Sequence, residues 1–336
     1  MFDSLRITIL LGTYNGVRFV GEQLRSIQDQ TVSNWTLLIR DDGSHDGTSE
    51  VVAEAVRSDE RIRFLLDTHG HLGIVGNFEE LMRIAHAEGA DYIFFSDQDD
   101  VWASNKIADQ LTYLMGMESR YGQKTPILVY SDLEVVSEQL ERIHLSFMGY
   151  QGLTHESRDP LRVLLTQNFV TGCATAINRP LLELAIPLPA DVIMHDWWLA
   201  LCAAACGHLV YLPHALVRYR QHGANQIGAE GFLTMMNPLS DSSGRRLGRS
   251  GYYVFGSIRH AALLSERIVL RGVPCSVETL SLLKRFAACA QEGRLRRLWT
   301  VSQLGLRRQG VLRQILLYWR LLVSSRGAVS DANVSR

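Results

Sequence analysis

The sequence predicts an α/β fold, a mostly parallel sheet covered by helices, followed by a helical appendage. Three observations lead there. Short β-rich runs alternate with helical periodicity through the first half of the chain. Polar clusters recur just past the ends of those runs, at Thr13-Tyr14-Asn15, Asp41-Asp42-Gly43-Ser44 and Asp97-Gln98-Asp99-Asp100. After Asn237 the composition shifts through a Ser- and Gly-rich stretch into arginine-rich helical segments.

The elements follow in order. Residues 6–11 form the first strand and 20–30 the helix behind it; 35–40 is the second strand, with 49–57 as its crossover helix. A third strand at 62–66 leads into a turn punctuated by Gly70, Gly73 and Gly76, which opens a helix over 78–87. The fourth strand is 92–96. Ile107, Leu111 and Leu114 then recur at helical spacing and line one face. Further on, 127–132 reads as a strand, 171–173 as a tight loop and 196–206 as a helix bearing Trp197 and Trp198. Cys202 and Cys206 on that helix are expected to be small core residues. Residues 209–212 and 217–220 read as two short strands, and 240–251 as a linker, dividing the chain into domains at 1–235 and 236–336.

A chain of 336 residues can bury a full core, and 46% hydrophobic with 21% charged residues is ordinary for a globular protein. The net charge of -1 conceals an imbalance: between Asp241 and Arg326 there are fifteen Arg and one Lys against Asp241, Glu266, Glu278 and Glu292. Five cysteines form no CxxC pair, so neither a disulfide framework nor a zinc ribbon is indicated and a reducing compartment is expected. The chain enters a strand almost at once, without the basic and apolar regions of a signal peptide, and nothing approaches the roughly eighteen uninterrupted apolar residues of a membrane span. The expected location is cytoplasmic, peripheral at the inner face of the cell membrane. No recognised nucleic-acid module is present.

The chemistry concentrates where the apolar run 92–96 meets Asp97, Asp99 and Asp100. Bare carboxylates held together repel and take up protons more readily, so a divalent cation is the natural counterpart. Oxygen ligands favour Mg²⁺ or Mn²⁺, which keep a few carboxylates and fill their other positions with water and phosphate. A metal-diphosphate site is expected, the alternative being an acidic loop that caps the helix after Asn105. In parallel sheets ligands bind at the carboxyl ends of the strands, where all three polar clusters fall.

Taken together, Ile9-Leu10-Leu11-Gly12-Thr13-Tyr14-Asn15, Asp41-Asp42-Gly43-Ser44 and Asp97-Gln98-Asp99-Asp100 resemble a family 2 glycosyltransferase with the GT-A nucleotide-diphospho-sugar transferase fold, over roughly residues 5–228. Met194-His195-Asp196-Trp197-Trp198 and Tyr219-Arg220-Gln221-His222-Gly223-Ala224-Asn225 further resemble its bacterial rhamnosyltransferase-like branch. The resemblance implies that Thr13, Tyr14 and Asn15 lie against base and ribose and that Asp42 accepts from the imide N–H of uracil or thymine, a charge-assisted bond. It places Asp97 at the ribose and Asp99 on the Mg²⁺ or Mn²⁺ that bridges the phosphates, with Asp100 behind it or capping a helix. Asn77 contacts the nucleotide or caps its own helix. His222 approaches the metal or diphosphate from the other side, and Arg218 and Arg220 either neutralise phosphate or are solvated.

Asp196 is the expected general base, removing the acceptor hydroxyl proton as the glycosidic bond forms; its alternative role is the N-cap of the helix at Trp197. One base and in-line attack imply inversion. The Trp197-Trp198 pair includes a candidate sugar-stacking platform. No Gln-x-x-Arg-Trp segment follows Asp196, which favours addition of one or a few sugars over long polymer extrusion. The implied partners are a dTDP- or UDP-sugar donor, with L-rhamnose from dTDP-rhamnose first and a UDP-hexose second, and a glycan or polyprenyl-diphosphate-linked acceptor. A non-catalytic nucleotide-sugar-binding scaffold is the competing reading. The Arg-, Leu- and Trp-rich segments 294–299 and 307–323 suit an anionic membrane surface, the alternatives being packing on the catalytic domain or in a homo-oligomer.

Overall fold

The computed structural model describes residues 2, 4–66, 69–223 and 243–323. The expected boundary at 235/236, and Ala224 and Asn225 of the late motif, lie outside the described residues. The strands are β1 (Ile7–Thr13), β2 (Thr36–Asp41), β3 (Ile62–Leu65), β4 (Tyr92–Ser96), β5 (Val101–Trp102), β6 (Ile127–Val136), β7 (Arg142–His144), β8 (Thr175–Asn178) and β9 (His208–Arg220). The helices are α1 (Val20–Gln28), α2 (Thr48–Ser58), α3 (Gly73–Ala87), α4 (Lys106–Tyr121), α5 (Phe147–Gln151), α6 (Pro160–Leu164), α7 (Arg179–Ala185), α8 (His195–Cys206), α9 (Ser243–Arg271), α10 (Val277–Ala288), α11 (Arg294–Gln303) and α12 (Val311–Val323).

One sheet runs in the order β3-β2-β1-β4-β8-β6-β9-β5, with β7 paired to β6. The first four strands are mutually parallel. β8 then inserts antiparallel between β4 and β6, β9 runs parallel to β6 and β5 pairs antiparallel to β9. Both faces are covered, which is why β1 and β4 read as unbroken apolar runs rather than alternating ones. One face packs Val20, Leu24 and Ile27 of α1 with Ile107, Leu111 and Leu114 of α4. The other packs Phe78, Leu81 and Met82 of α3 against α7 and α8. Because the chain leaves β1 for β2 and later returns to its other side as β4, the loops after β1 and β4 diverge at a crevice that suits a ligand.

The C-terminal helices join that second core. Val254, Ile258, Ala261, Leu264 and Ile268 of α9 share one apolar cluster with Trp198 of α8 and with Leu283 and Phe286 of α10. Part of the arginine excess is used here: Arg267 donates to the carbonyls of Leu184 (3.2 Å) and Pro187 (2.6 Å), and Arg271 to that of Ile186 (2.6 Å). They cover the orphan C=O groups at the end of α7, where a cation also suits the helix dipole.

Several expectations need correction. The Ser- and Gly-rich stretch read as a linker is helical from Ser243. The two late strands are one, β9, whose register against β6 jumps between Leu212 and Ala215; Pro213, lacking an N–H, explains why the sequence looked broken there. The third helix starts at Gly73 rather than at 78, absorbing Gly76. Strands β5, β7 and β8 and helices α5 to α7 were not foreseen.

Candidate active site

The loops after β1, β2 and β4 are tied to one another before any ligand arrives. Thr13 Oγ1 donates to Asp41 Oδ1 (2.7 Å). Tyr14 N donates to Gln98 Oε1 (2.8 Å), and Gln98 Nε2 returns a bond to Tyr14 O (2.9 Å). Asn15, at a φ of 48°, donates from N to Ser44 Oγ (2.8 Å) and accepts at Oδ1 from His45 N (3.0 Å). Tyr14 is exposed and its ring lies 4.8 Å from that of His71.

Asp42 is 2% exposed and serves the fold as well as any ligand. Its Oδ1 accepts from Arg40 Nη1 (2.7 Å) and Leu72 N (2.7 Å), and its Oδ2 from Gly73 N (2.8 Å) and His71 Nδ1 (2.9 Å). The buried charge thus meets a guanidinium and the positive end of α3. Asn77 lies inside α3 and is not its cap. Its Nδ2 reaches Arg40 O (3.3 Å), and its Oδ1 is buried without a partner.

The acidic loop after β4 is folded back by β9. Arg220 is buried, donating from N to Asp100 Oδ1 (3.2 Å), from Nε to Asp99 O (2.8 Å) and from Nη2 to Glu22 Oε2 (2.5 Å). It is therefore neither solvated nor presented to a phosphate; Arg218 pairs with Glu134 (3.4 Å). None of the three aspartates caps α4, whose N-cap is Asn105. His222, 123 positions from Asp99 in sequence, is brought against it, Nε2 to Oδ2 at 2.8 Å, and its ring rests 4.6 Å from Phe19.

Asp97, Asp100 and Cys173 form a second grouping, with one ligand atom of each inside a 4.8 Å circle. Burial, then the Asp99 and Asp196 charges, pushes Asp97 up; burial, then the Asp99 and Asp97 charges, pushes Asp100 well up. Asp100 Oδ2 is buried with no hydrogen-bond partner. Crowded carboxylates with an orphaned oxygen fit a hard divalent cation; the Cys173 thiol, which burial pushes well up, is too soft a donor to hold one.

Asp196 sits in the first turn of α8; the N-cap is Met194. Its Oδ1 accepts from Trp197 N (2.5 Å) and Asn168 Nδ2 (3.2 Å), and its Oδ2 from Gly172 N (3.0 Å). Burial outweighs these bonds and pushes it up to about 6. Gly172 lets this loop approach α8 closely: a Cβ there would stand 3.1 Å from His195 Nε2, a tight contact for the buried ring. Trp197 and Trp198 are both buried, their indole N–H groups donating to Leu164 O (2.6 Å) and Ala185 O (3.1 Å). Neither is a sugar platform.

The family model for glycosyl transferase family 2 matches residues 8–181, more than half the chain. The chain belongs to glycosyl transferase family 2. Among relatives of this family 2 glycosyltransferase, the dTDP-rhamnosyl transferase RfbG of Shigella flexneri is 27% identical over 226 residues, covering 65% of this chain and 74% of RfbG. The UDP-Glc:alpha-D-GlcNAc-diphosphoundecaprenol beta-1,3-glucosyltransferase WfgD of Escherichia coli is 27% identical over 182 residues, 54% of this chain and 63% of WfgD. Among solved structures, S. aureus TarS 1-349 with UDP-GlcNAc superposes with a TM-score of 0.56 at 12% identity, over 99% of this chain and 93% of that one. The mannosyltransferase PcManGT of Pyrobaculum calidifontis with GDP-Man and Mn²⁺ gives 0.54 at 16% identity, over 99% and 80%. The fold is GT-A.

Three residues of this glycosyltransferase were not singled out from sequence. Lys106 is fully buried beneath the acidic loop, 4.2 Å from the Trp102 ring centroid, and burial pushes it down to about 7 against the pull of Cys173 and Asp100. Cys173 carried no spacing signal. His195 packs 4.1 Å from Phe78 and 5.6 Å from Phe95, with both ring nitrogens unpartnered, and burial pushes it down to about 3. Its place beside Asp196 was the one available clue.

Proposed function

We propose that this glycosyltransferase is an inverting, metal-dependent enzyme that moves L-rhamnose from dTDP-rhamnose onto a lipid-linked or cell-surface polysaccharide acceptor. The observation that carries the reading is Asp196, a buried carboxylate pushed up to about 6, near enough to the strand-end Asp97 to raise it as well. A general base works best with an affinity for protons near the operating pH. The bonds from Asn168 and Gly172 hold it in one orientation while leaving it able to take the hydroxyl proton of an acceptor.

Asp99 and His222 would hold Mg²⁺ or Mn²⁺, with Asp97 and Asp100 adjacent; the ion supplies positive charge to the departing diphosphate. Thr13, Tyr14, Asn15 and Asn77 would receive the nucleoside. For Asp42 to accept from a pyrimidine N–H, one of its protein donors must yield, and the half-exposed His71 (59% at its side chain) is the one that can. Support for a nucleoside-diphosphate donor comes from the fold shared with TarS and PcManGT, which bind UDP-GlcNAc and GDP-Man, and for rhamnose from the likeness to RfbG.

A UDP-hexose donor is the second reading, favoured by the likeness to WfgD. Incubation with a panel of nucleotide sugars, with and without Mn²⁺, and measurement of nucleoside diphosphate release decides between them. Preferential turnover of dTDP-rhamnose is expected; a preference for UDP-hexoses selects the alternative. Absence of turnover with every sugar, beside intact nucleotide binding, would leave only a scaffold.

A further inference from the structure

The last helices carry a pattern that glycosyl transfer does not use. Along α12, Val311, Leu312, Ile315, Leu316, Trp319 and Val323 are exposed, by 39–77%, and their spacing sets them on one face. Leu317 and Leu321 on the opposite face are buried in the core. Arg313 is buried beside them, its Nη1 donating to Gly152 O (2.8 Å), and Arg320, about two turns on, lies along the flank between the two faces. Neighbouring α11 exposes Leu295 and Trp299.

Arg308, just ahead of α12, faces the same flank. Its Nε is buried without a partner. Burial, then the Arg320 and Arg313 charges, pushes it down to about 9, and no carboxylate among the described residues relieves Arg308 or Arg320. Like charges sheltered from water in this way call for an anion from outside the chain.

We propose that this face docks on an anionic phospholipid surface, Arg308 and Arg320 receiving headgroup phosphates while the apolar stripe of α12 enters the acyl boundary. Arginine matches phosphate geometry, and tryptophan suits the interface. No helix among the described residues is long and apolar enough to cross a membrane, so the contact is one of surface docking. A second copy of this chain fits less well, since α12 carries no acidic residue to meet Arg308 and Arg320. The face is also braced to the acceptor side of the site: Gln309 N donates to Gln167 Oε1 (2.9 Å), and the next residue, Asn168, holds Asp196. The inference goes beyond the transfer reaction and needs no donor.

The test is cosedimentation of the full chain with phosphatidylcholine vesicles, alone and mixed with phosphatidylglycerol. Binding is expected to the mixed vesicles only, and to be released by high salt. Ile315→Asp should lower partitioning roughly tenfold by removing apolar insertion, and Arg320→Gln roughly fivefold, neither with a lower melting temperature, because Ile315 is exposed and the loss of the Arg320 charge relieves Arg308. Equal binding to both vesicle types would overturn the proposal. So would a concentration-dependent dimer that Ile315→Asp dissolves without any vesicle binding, or melting shifts with inorganic phosphate in a protein that ignores vesicles.

Discussion

At Asp196 three donors hold a carboxylate that burial nonetheless pushes up to about 6, so the base form gains population as pH rises through that value. The turnover rate should climb roughly tenfold per pH unit below about 6 and level off above it, measured as initial rates at saturating donor. Asp196→Asn should lower turnover by about 10²- to 10⁴-fold with donor affinity retained; a variant that turns over normally removes Asp196 as the base. Asp100 tests the cation in another way. Without metal, Asp100→Asn relieves charge crowding around a buried, unpartnered oxygen, so the variant should melt at or above the wild-type temperature. With Mn²⁺ the wild type should gain stability in proportion to the logarithm of metal concentration and the variant should gain less. An equal gain in both would show that Asp100 takes no part in holding the ion. The aspartates were legible in the sequence because charge at the end of an apolar strand has few other uses. Arg220 and His195 were not: an alternating strand arginine looks solvated, and the neighbours of both are set by tertiary contacts, Asp99 and Glu22 for Arg220 and Phe78 and Phe95 for His195.

Among the elements, those with long periodic patterns, α1, α4 and β1 to β4, were readable in the sequence within a few residues. What escaped was short or defined by pairing: β8 is four residues long and becomes a strand only because β4 and β6 flank it, and β5 is two residues zipped onto β9. The polar start of α9 concealed a helix whose later turns are held by α8 and α10. That dependence predicts large effects from core truncation there: Leu264→Ala or Leu283→Ala should each cost about 2–5 kcal/mol, read by denaturant titration. Arg267→Gln, which uncovers carbonyls at the end of α7, should cost about 1–3 kcal/mol through unsatisfied acceptors, without altering donor binding.

For the whole molecule, the apolar cluster that joins α3, α7 and α8 to α9 through α12 means that the sheet and the C-terminal helices should unfold together. Calorimetry should give a single transition, whereas two separable ones would show that the helical region stands alone. The paired amide of Gln98 and the backbone of Tyr14 has a kinetic corollary. Two turns 84 positions apart are latched by reciprocal bonds, so the cleft is already shaped when a nucleotide collides with it. Stopped-flow association should then follow one exponential whose rate grows linearly with nucleotide concentration. Unlatching the turns with Gln98→Ala should add a slow, concentration-independent phase as they search for their closed pose.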